Sequence, residues 1–132
     1  QWMEEVKAQA RKDGFVVNMF SRIRPLPELL SGSFKLRENT ERKVVNTIVQ
    51  GSAADIIKQA MLYMRRMFSP LVRLVLQVHD EILWEVPDSL LAKTLEQCKE
   101  LPLAFPDYPF TVMIGRCYGE LKEAEDANTT IS

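Results

Sequence analysis

The chain has 132 residues, of which 46% are hydrophobic and 27% are charged, and its formal net charge is −1. This length and composition predict one soluble globular domain with a core of its own. Its apolar runs fall short of the roughly 20 residues of a membrane span, and no basic stretch followed by an apolar one opens the chain, so we expect neither a membrane span nor a secretory signal.

The charge is unevenly distributed along the chain. Residues 22–73 carry ten Lys or Arg against four Asp or Glu, whereas residues 74–132 carry four against eleven. A basic half can meet phosphates and an acidic half can hold a divalent metal ion, but either half can equally be solvated surface. The asymmetry by itself therefore decides nothing about function.

The two cysteines give no sign of a metal centre. Cys98 and Cys117 stand apart, without the short spacing that is typical of metal ligands. We therefore predict two buried, reduced thiols, as in an intracellular protein.

A helix followed by extended segments is predicted at the start of the chain. Residues 1–13 form this helix, because Trp2, Val6 and Ala10 fall on one face. Gly14 is a typical C-terminal stop. After it come a short β-rich segment, a segment kept extended by its prolines, and a loop, which cover residues 15–19, 22–27 and 31–33.

Two separate helices are predicted in the middle of the chain. Asn39 or Thr40 can cap the first, which begins near Glu41 and runs through Val45. The second covers residues 52–68 and carries a continuous apolar face that we expect to lie in the core. The members of this face recur at steps of three and four: Ala53, Ile56, Ile57, Ala60, Met61, Met64, Met67 and Phe68.

A β-hairpin is predicted next, because the β-rich residues 71–78 and 81–86 are divided by His79 and Asp80 alone. A helix from Pro87 to about Glu100, chain breaks at Pro102, Pro106 and Pro109, and a last strand over residues 110–114 follow. The order predicts an α+β fold, an antiparallel sheet with a central hairpin and helices packed on one face. We expect this domain to cover residues 1–122, with a polar tail at 123–132.

The turn of this hairpin has an unusual composition. Two-residue turns favour Asn-Gly or Asp-Gly because their backbone needs positive φ, whereas this turn is His79-Asp80, followed by Glu81. Adjacent carboxylates repel one another unless a cation lies between them, and Mg²⁺ takes one or two carboxylates together with substrate phosphates. The turn is thus either part of a Mg²⁺ site or a solvated polar turn, and residue types alone leave both readings open.

Three sequence elements, in this order, resemble family A (polymerase I-like) DNA polymerases. Residues 77–86, Gln-Val-His-Asp-Glu-Ile-Leu-Trp-Glu-Val, are similar to motif C of that family. Residues 46–58 resemble its N-x-x-x-Q-G-[ST]-A-A-D-[IL]-x-K helix with the preceding Glu41-Arg42, and Phe20-Ser21-Arg22 resembles its G-R-R element. The chain therefore looks like the C-terminal part of a polymerase palm. Residues 47–52 and 114–122 look closest to eukaryotic polymerases theta and nu, with a bacterial or phage polymerase I as the alternative.

The resemblance implies DNA-directed nucleotidyl transfer in replication or repair. In that reaction the primer 3′-hydroxyl attacks the α-phosphate of a deoxynucleoside triphosphate with the help of two Mg²⁺ ions. By similarity, Asp80 binds these ions, Glu81 is an auxiliary metal-supporting carboxylate, and His79 lies near the primer terminus. The implied partners are primer-template DNA and deoxynucleoside triphosphates, with no membrane.

The resemblance also implies a DNA-binding face. Arg42, Asn46 and Gln50 lie at steps of four, so a helix points them the same way. Asn46 and Gln50 would donate to the minor-groove acceptors that all base pairs share, Arg42 would reach the DNA nearby, and Arg22 would contact the template backbone. Weaker phosphate attraction is expected from Arg24, Lys35, Arg37 and Lys43.

These residues also have structural explanations. Arg42 can pair with a neighbouring acid, Asn46 can form a hydrogen bond at a helix end, and Asp55 can form an ion pair with Lys58. Two other functions stay open: a truncated, non-catalytic DNA-binding or interaction module, and an unrelated metal-binding domain, which would not bind DNA.

The chain departs from the family pattern in three ways. The D-Y-S-x-x-E-x-R strand with the first catalytic aspartate and the fingers helix are absent, and Phe20-Ser21 replaces the usual glycine before Arg22. Since both missing elements normally lie upstream, and the sequence opens with Gln1, we expect a fragment of a longer chain that cannot extend a primer by itself. A theta- or nu-like protein would act in the nucleus, in double-strand break end joining, and a bacterial or phage one in the cytoplasm.

Overall fold

The computed structural model describes residues 1–124. They fall into two compact units that divide between Ala60 and Met61. The predicted α+β class is confirmed, and its antiparallel pairing is distributed over three two-stranded sheets. No helix among the described residues is both long and apolar enough to cross a membrane.

The first unit begins with helix α1, strands β1 and β2, and a 3₁₀ turn, which span Trp2–Asp13, Phe15–Val17, Ile23–Pro25 and Pro27–Leu30. Gly14 ends α1 in the left-handed conformation, with φ of 73°, and its N–H donates to the Ala10 carbonyl. A Cβ at this position would lie 2.7 Å from a Leu30 methyl carbon, so glycine suits both the backbone and the space. Of the predicted α1 face, Ala10 is buried and Val6 half-buried, but Trp2 is exposed.

A single helix, α2, runs from Phe34 to Met67 over 34 residues. The two separate helices predicted here were therefore wrong. Thr40, a predicted cap, lies inside α2, where its hydroxyl donates to the Leu36 carbonyl at 2.9 Å. A threonine can satisfy itself in this way within a helix, so its presence did not mark a helix start. The main chain of Ser33 instead accepts the first backbone hydrogen bond, from Arg37 N–H at 3.1 Å.

The cores of the two units lie against different parts of α2. In the first unit, Val44 and Ile48 of α2 pack in one cluster with Ala10, Val16 and Leu29. The predicted apolar face over residues 52–68 is confirmed as core at Ala60, Met64 and Phe68, which are buried, whereas Ala53 is exposed. The other members of that face are half-buried.

The predicted hairpin is confirmed in the second unit. Strands β3 (Arg73–Val78) and β4 (Glu81–Glu85) pair antiparallel, with Val78 opposite Glu81 and an irregularity between Leu74 and Leu76. The ring of Trp84 on β4 meets buried Phe68 edge-to-face, at 5.2 Å between ring centroids and 86° between planes. This contact ties the hairpin to the end of α2.

The rest of the second unit is built from short elements. The helix predicted after Pro87 is a 3₁₀ turn at Asp88–Leu90 followed by α3 (Leu91–Cys98), and α4 covers Leu101–Ala104. Pro102 does not break the chain as predicted, because it lies in the first turn of α4, where a missing N–H costs nothing.

Two short strands close the described chain. The strand predicted at 110–114 is reduced to β5 (Met113–Ile114), which pairs with β6 (Lys122–Glu123). A 3₁₀ turn at Tyr118–Glu120 lies between them. The predicted polar tail lies outside the described residues from position 125 onward.

The cysteines match the prediction only in part. Both are free thiols; Cys98 is half-buried and Cys117 is exposed. Burial raises the pKa of the Cys98 thiol. The predicted burial of Cys117 was wrong, because it lies in the loop between β5 and β6 rather than in a packed element.

Candidate catalytic turn and nucleic-acid face

The three predicted catalytic residues lie at or next to the turn between β3 and β4. His79 and Asp80 alone connect the paired Val78 and Glu81, and the side chains at 79–81 are exposed. His79 has φ of 53°, in the left-handed region that histidine enters more readily than most residues. The side-chain amide of Gln77 donates to the His79 carbonyl at 2.6 Å. A short turn with a braced main chain thus presents an imidazole and two carboxylates to solvent.

A tyrosine from the end of the described chain reaches this turn. The Tyr118 hydroxyl donates to Glu81 Oε2 at 2.7 Å. This hydrogen bond, together with the negative charge of Glu81, raises the pKa of Tyr118.

The turn suits part of a Mg²⁺ shell and not a closed metal cage. Within residues 1–124 no group of three or more His, Cys, Asp or Glu side chains could hold a metal ion. Asp80 and Glu81 supply two neighbouring carboxylates, and Mg²⁺ accepts one or two carboxylates when water and substrate phosphates complete its shell. The donor set fits an ion that is shared with a phosphate ligand.

The continuous helix α2 places Arg42, Asn46 and Gln50 on one exposed face. Arg42 pairs with Glu38 one turn earlier at 2.6 Å, and both side chains are largely exposed. Such a pair contributes about 0.3–0.5 kcal/mol, so a phosphate can readily replace the carboxylate. In the described part of the chain, the side chains of Asn46 and Gln50 make no hydrogen bond, which leaves both amides available.

Arg22 is held away from this face. Its Nη2 and Nε donate to Asp55 Oδ1 and Oδ2 at 2.6 and 3.0 Å, and the Asn18 amide donates to Oδ2 at 2.6 Å. Asp55 is buried and follows Gln50 by five residues, which places it about 140° around α2. The ion-pair partner of Asp55 is therefore Arg22 and not Lys58, which was considered as an alternative partner. A template contact by Arg22 would have to compete with this bidentate pair.

The loop that carries Arg22 is rigidly built. Asn18 Oδ1 accepts from the N–H groups of Phe20 and Arg22, both at 2.9 Å, and the Ser52 hydroxyl accepts from Met19 N–H at 3.1 Å. Ser21 has φ of 60°, so it adopts the left-handed conformation that a glycine would adopt more easily. The serine that departs from the family pattern is accommodated by these hydrogen bonds.

The roles of three residues in these sites were not predicted from the sequence. Asn18 and Asp55 orient Arg22, and Tyr118 binds Glu81, yet each was unmarked or given another role. The Arg22–Asp55 and Tyr118–Glu81 pairs are separated by 33 and 37 residues. No local pattern connects residues so far apart, although an aspartate flanked by Ala54 and Ile56 within a helix is a signal that it needs a cationic partner where that face is buried.

Replacing Asp55 by Asn is expected to lower the melting temperature at pH 7 by several degrees. The hydrogen bonds and charge of Arg22, with the Asn18 amide, lower the pKa of Asp55 in the folded chain. A lowered carboxyl pKa stabilises the fold above the ordinary value of 3.8, and this contribution disappears as the pH falls through the folded pKa. The difference between wild type and Asp55→Asn should therefore shrink in acid. Thermal melts followed by circular dichroism between pH 7 and pH 2.5 measure it.

The exposed Asp107 provides the matched control for this experiment. Asp107→Asn should melt like the wild type at every pH, because surface substitutions of this kind change stability little. Equal melting of wild type and Asp55→Asn at pH 7 would show that the Arg22 pair does not stabilise the loop.

Comparison with known proteins shows similarity over most of the chain. Residues 1–114 match the sequence model of DNA polymerase family A. DNA polymerase I of Bacillus subtilis (strain 168) is 40% identical over 117 residues, which cover 84% of this chain and 13% of that protein. DNA polymerase I of Mycobacterium leprae (strain TN) is 40% identical over 122 residues, which cover 86% of this chain and 13% of that protein.

A solved structure is similar as well. The POL domain of Pol1 from M. smegmatis, in complex with DNA primer-template and dNTP, has a TM-score of 0.70 and 38% sequence identity, and the match covers 83% of this chain and 19% of that one. The chain therefore spans about an eighth of the length of the two curated relatives.

Proposed function

Because this chain belongs to DNA polymerase family A, we propose that it acts as the C-terminal part of the palm of a DNA-directed DNA polymerase, within a longer chain. The observation that carries the proposal is the β3–β4 hairpin, whose turn residues His79 and Asp80 are exposed to solvent together with Glu81, the first residue of β4. In the proposed reaction the primer 3′-hydroxyl attacks the α-phosphate of a deoxynucleoside triphosphate, and pyrophosphate leaves.

The turn residues take separate parts in this reaction. Asp80 would hold Mg²⁺, and Glu81 would support the same shell directly or through a water molecule. When bound, the metal supplies positive charge that stabilises the attacking and leaving oxygens. His79 would help to place the primer terminus, and its main chain is already oriented by the hydrogen bond from Gln77.

The exposed face of α2 would bind duplex DNA. Asn46 and Gln50 can donate to purine N3 and pyrimidine O2, which every base pair presents in the minor groove. Such contacts follow the shape of a base pair without reading its sequence, which suits an enzyme that copies any template. Primer-template DNA and a dNTP are the ligands of the M. smegmatis relative, and they are the partners proposed here.

The relatives favour a bacterial-type enzyme over the other assignments. The curated relatives described above are bacterial DNA polymerase I, and none supports the predicted closeness to polymerases theta and nu. We therefore favour the polymerase I alternative, with a cytoplasmic location, and the nuclear location and the end-joining role lose their basis. The alternative of a truncated, non-catalytic module is disfavoured, because the relatives of this chain are polymerases and the chain has both carboxylates, Asp80 and Glu81.

Duplex binding by the 132-residue chain tests the DNA-binding part of the proposal. Binding is expected to weaken with salt, and Arg42→Ala should reduce the slope of log K against log salt concentration by about 1. Gln50→Ala should lower the affinity about fivefold, as expected for one lost hydrogen bond, with little change in the slope. Fluorescence anisotropy of a labelled duplex across a salt series measures both.

Lys58 and Gln59 on the same helix provide matched controls. Both are exposed, and they lie about 120° and 140° around α2 from Asn46, the central residue of the proposed DNA-binding face. Lys58→Ala and Gln59→Ala should therefore bind like the wild type. The proposed interface would be contradicted if Arg42→Ala and Gln50→Ala bound DNA like the wild type, or if the wild-type chain did not bind DNA.

A further inference from the structure

Tyr118 makes a long-range contact that the family match does not include. The match ends at residue 114, and the Tyr118 hydroxyl donates to Glu81 Oε2 at 2.7 Å across 37 residues of sequence. Tyr118 is 56% exposed, so burial in a core does not force the contact. Water alone could satisfy the hydrogen-bonding capacity of an exposed phenol. The hydrogen bond from Tyr118 to the Glu81 carboxylate therefore needs another explanation.

The backbone around Tyr118 is closely constrained. A Cβ at Gly115 would lie 2.8 Å from the Glu120 carbonyl oxygen, a distance that no side chain tolerates against main chain. The Glu120 N–H donates to the Cys117 carbonyl at 3.0 Å and closes the turn that begins at Tyr118. The pairing of Ile114 on β5 with Lys122 on β6 joins the two ends of this loop. Tyr118 therefore projects from a loop whose shape does not depend on its own hydroxyl.

We propose that Tyr118 is a positioning residue, which holds the Glu81 carboxylate in place for a divalent cation bound at the His79–Glu81 turn. This inference rests on the proposed function, in which Glu81 supports the metal shell. The hydrogen bond engages Oε2 and restricts rotation of the side chain, so Oε1 would be the atom that contacts the cation or its water. Without this hydrogen bond, the exposed Glu81 side chain would be free to adopt other rotamers.

The expected size of the effect follows from other metal sites. Partners that hydrogen-bond a metal-ligating carboxylate commonly change metal affinity or activity by 10- to 100-fold. Because Tyr118 and Glu81 are both exposed, we expect the lower end of this range. An ion pair between Arg116 and Asp88 at 3.5 Å also anchors the loop, so removal of the hydroxyl should leave the fold intact.

Titration with Mn²⁺ tests the inference without relying on activity. The probe is the paramagnetic broadening of the backbone amide signals of residues 79–81 in the 132-residue chain. Tyr118→Phe is expected to raise the Mn²⁺ concentration for half-broadening about tenfold, with an unchanged melting temperature. Glu81→Gln should raise the Mn²⁺ concentration for half-broadening at least as much. The double variant should need no more Mn²⁺ than Glu81→Gln alone, because the tyrosine acts through that carboxylate.

Tyr108→Phe is the matched control, since it removes a hydroxyl from the same unit and should leave the titration unchanged. A Tyr118→Phe titration equal to that of the wild type overturns the inference, and so does the absence of Mn²⁺ broadening at the turn of the wild-type chain. Failure of the proposed function has a different signature: a complete gene product that binds Mn²⁺ at this turn but does not extend a primer.

Discussion

Replacing Asp80 by Asn is expected to reduce primer extension by the complete gene product on the order of 10³-fold, because the substitution removes the charge that we propose holds the metal ion. The metal supplies several kcal/mol of transition-state stabilisation, and each 1.36 kcal/mol is about a factor of ten in rate. Asn keeps the size of the side chain and is a good turn residue, so the hairpin should persist. Single-turnover extension of a labelled primer at saturating dNTP measures the loss.

The controls for Asp80→Asn separate chemistry from binding. The variant should bind primer-template DNA like the wild type, because the substituted side chain lies at the hairpin turn rather than on the exposed face of α2. Glu85→Gln removes a carboxylate from the other end of the same hairpin, where Glu85 pairs with Arg73 at 2.5 Å, and should extend primers normally. Extension by Asp80→Asn at close to the wild-type rate would exclude Asp80 as a metal ligand.

Replacing Phe68 by Ala is expected to cost about 3–5 kcal/mol of unfolding free energy, as for other buried phenylalanines. Phe68 is 5% exposed at the end of α2, and its ring meets Trp84 of β4 edge-to-face at 5.2 Å. The substitution removes buried apolar area, opens a cavity, and detaches the hairpin from the helix. Urea unfolding followed by tryptophan fluorescence and circular dichroism measures the loss.

Two further variants make this stability prediction decisive. Phe34→Ala alters the first residue of α2, a phenylalanine that is 72% exposed, and it should change stability by about 0.5 kcal/mol or less. Phe68→Leu keeps a large apolar side chain and should cost on the order of 1–2 kcal/mol, which stays measurable where the alanine variant does not fold. If Phe68→Ala were no more harmful than Phe34→Ala, the Trp84 contact would not hold the hairpin.

The site residues differ in how far sequence reasoning could reach them. His79, Asp80 and Glu81 were placed on one turn, because a gap of two residues between β-rich runs leaves little choice of geometry. Arg42, Asn46 and Gln50 were placed on one helix face by their spacing. The helix itself was predicted to be broken, since Asn39 and Thr40 are good caps as well as tolerated interior residues. Local preference could not decide between these two uses.

The sequence by itself determined helix α1 with its glycine stop, the hairpin with its two-residue turn, the α+β class and the family, because each depends on short-range spacing and on residue types. The tertiary structure alone decided that Arg22 pairs with buried Asp55, that Tyr118 binds Glu81, and that Cys117 is exposed. The two pairings join residues more than 30 positions apart, and the exposure of Cys117 follows from its place in the loop between β5 and β6. Side-chain periodicity records which face of an element is buried, and it carries no information about which distant residue that face will meet.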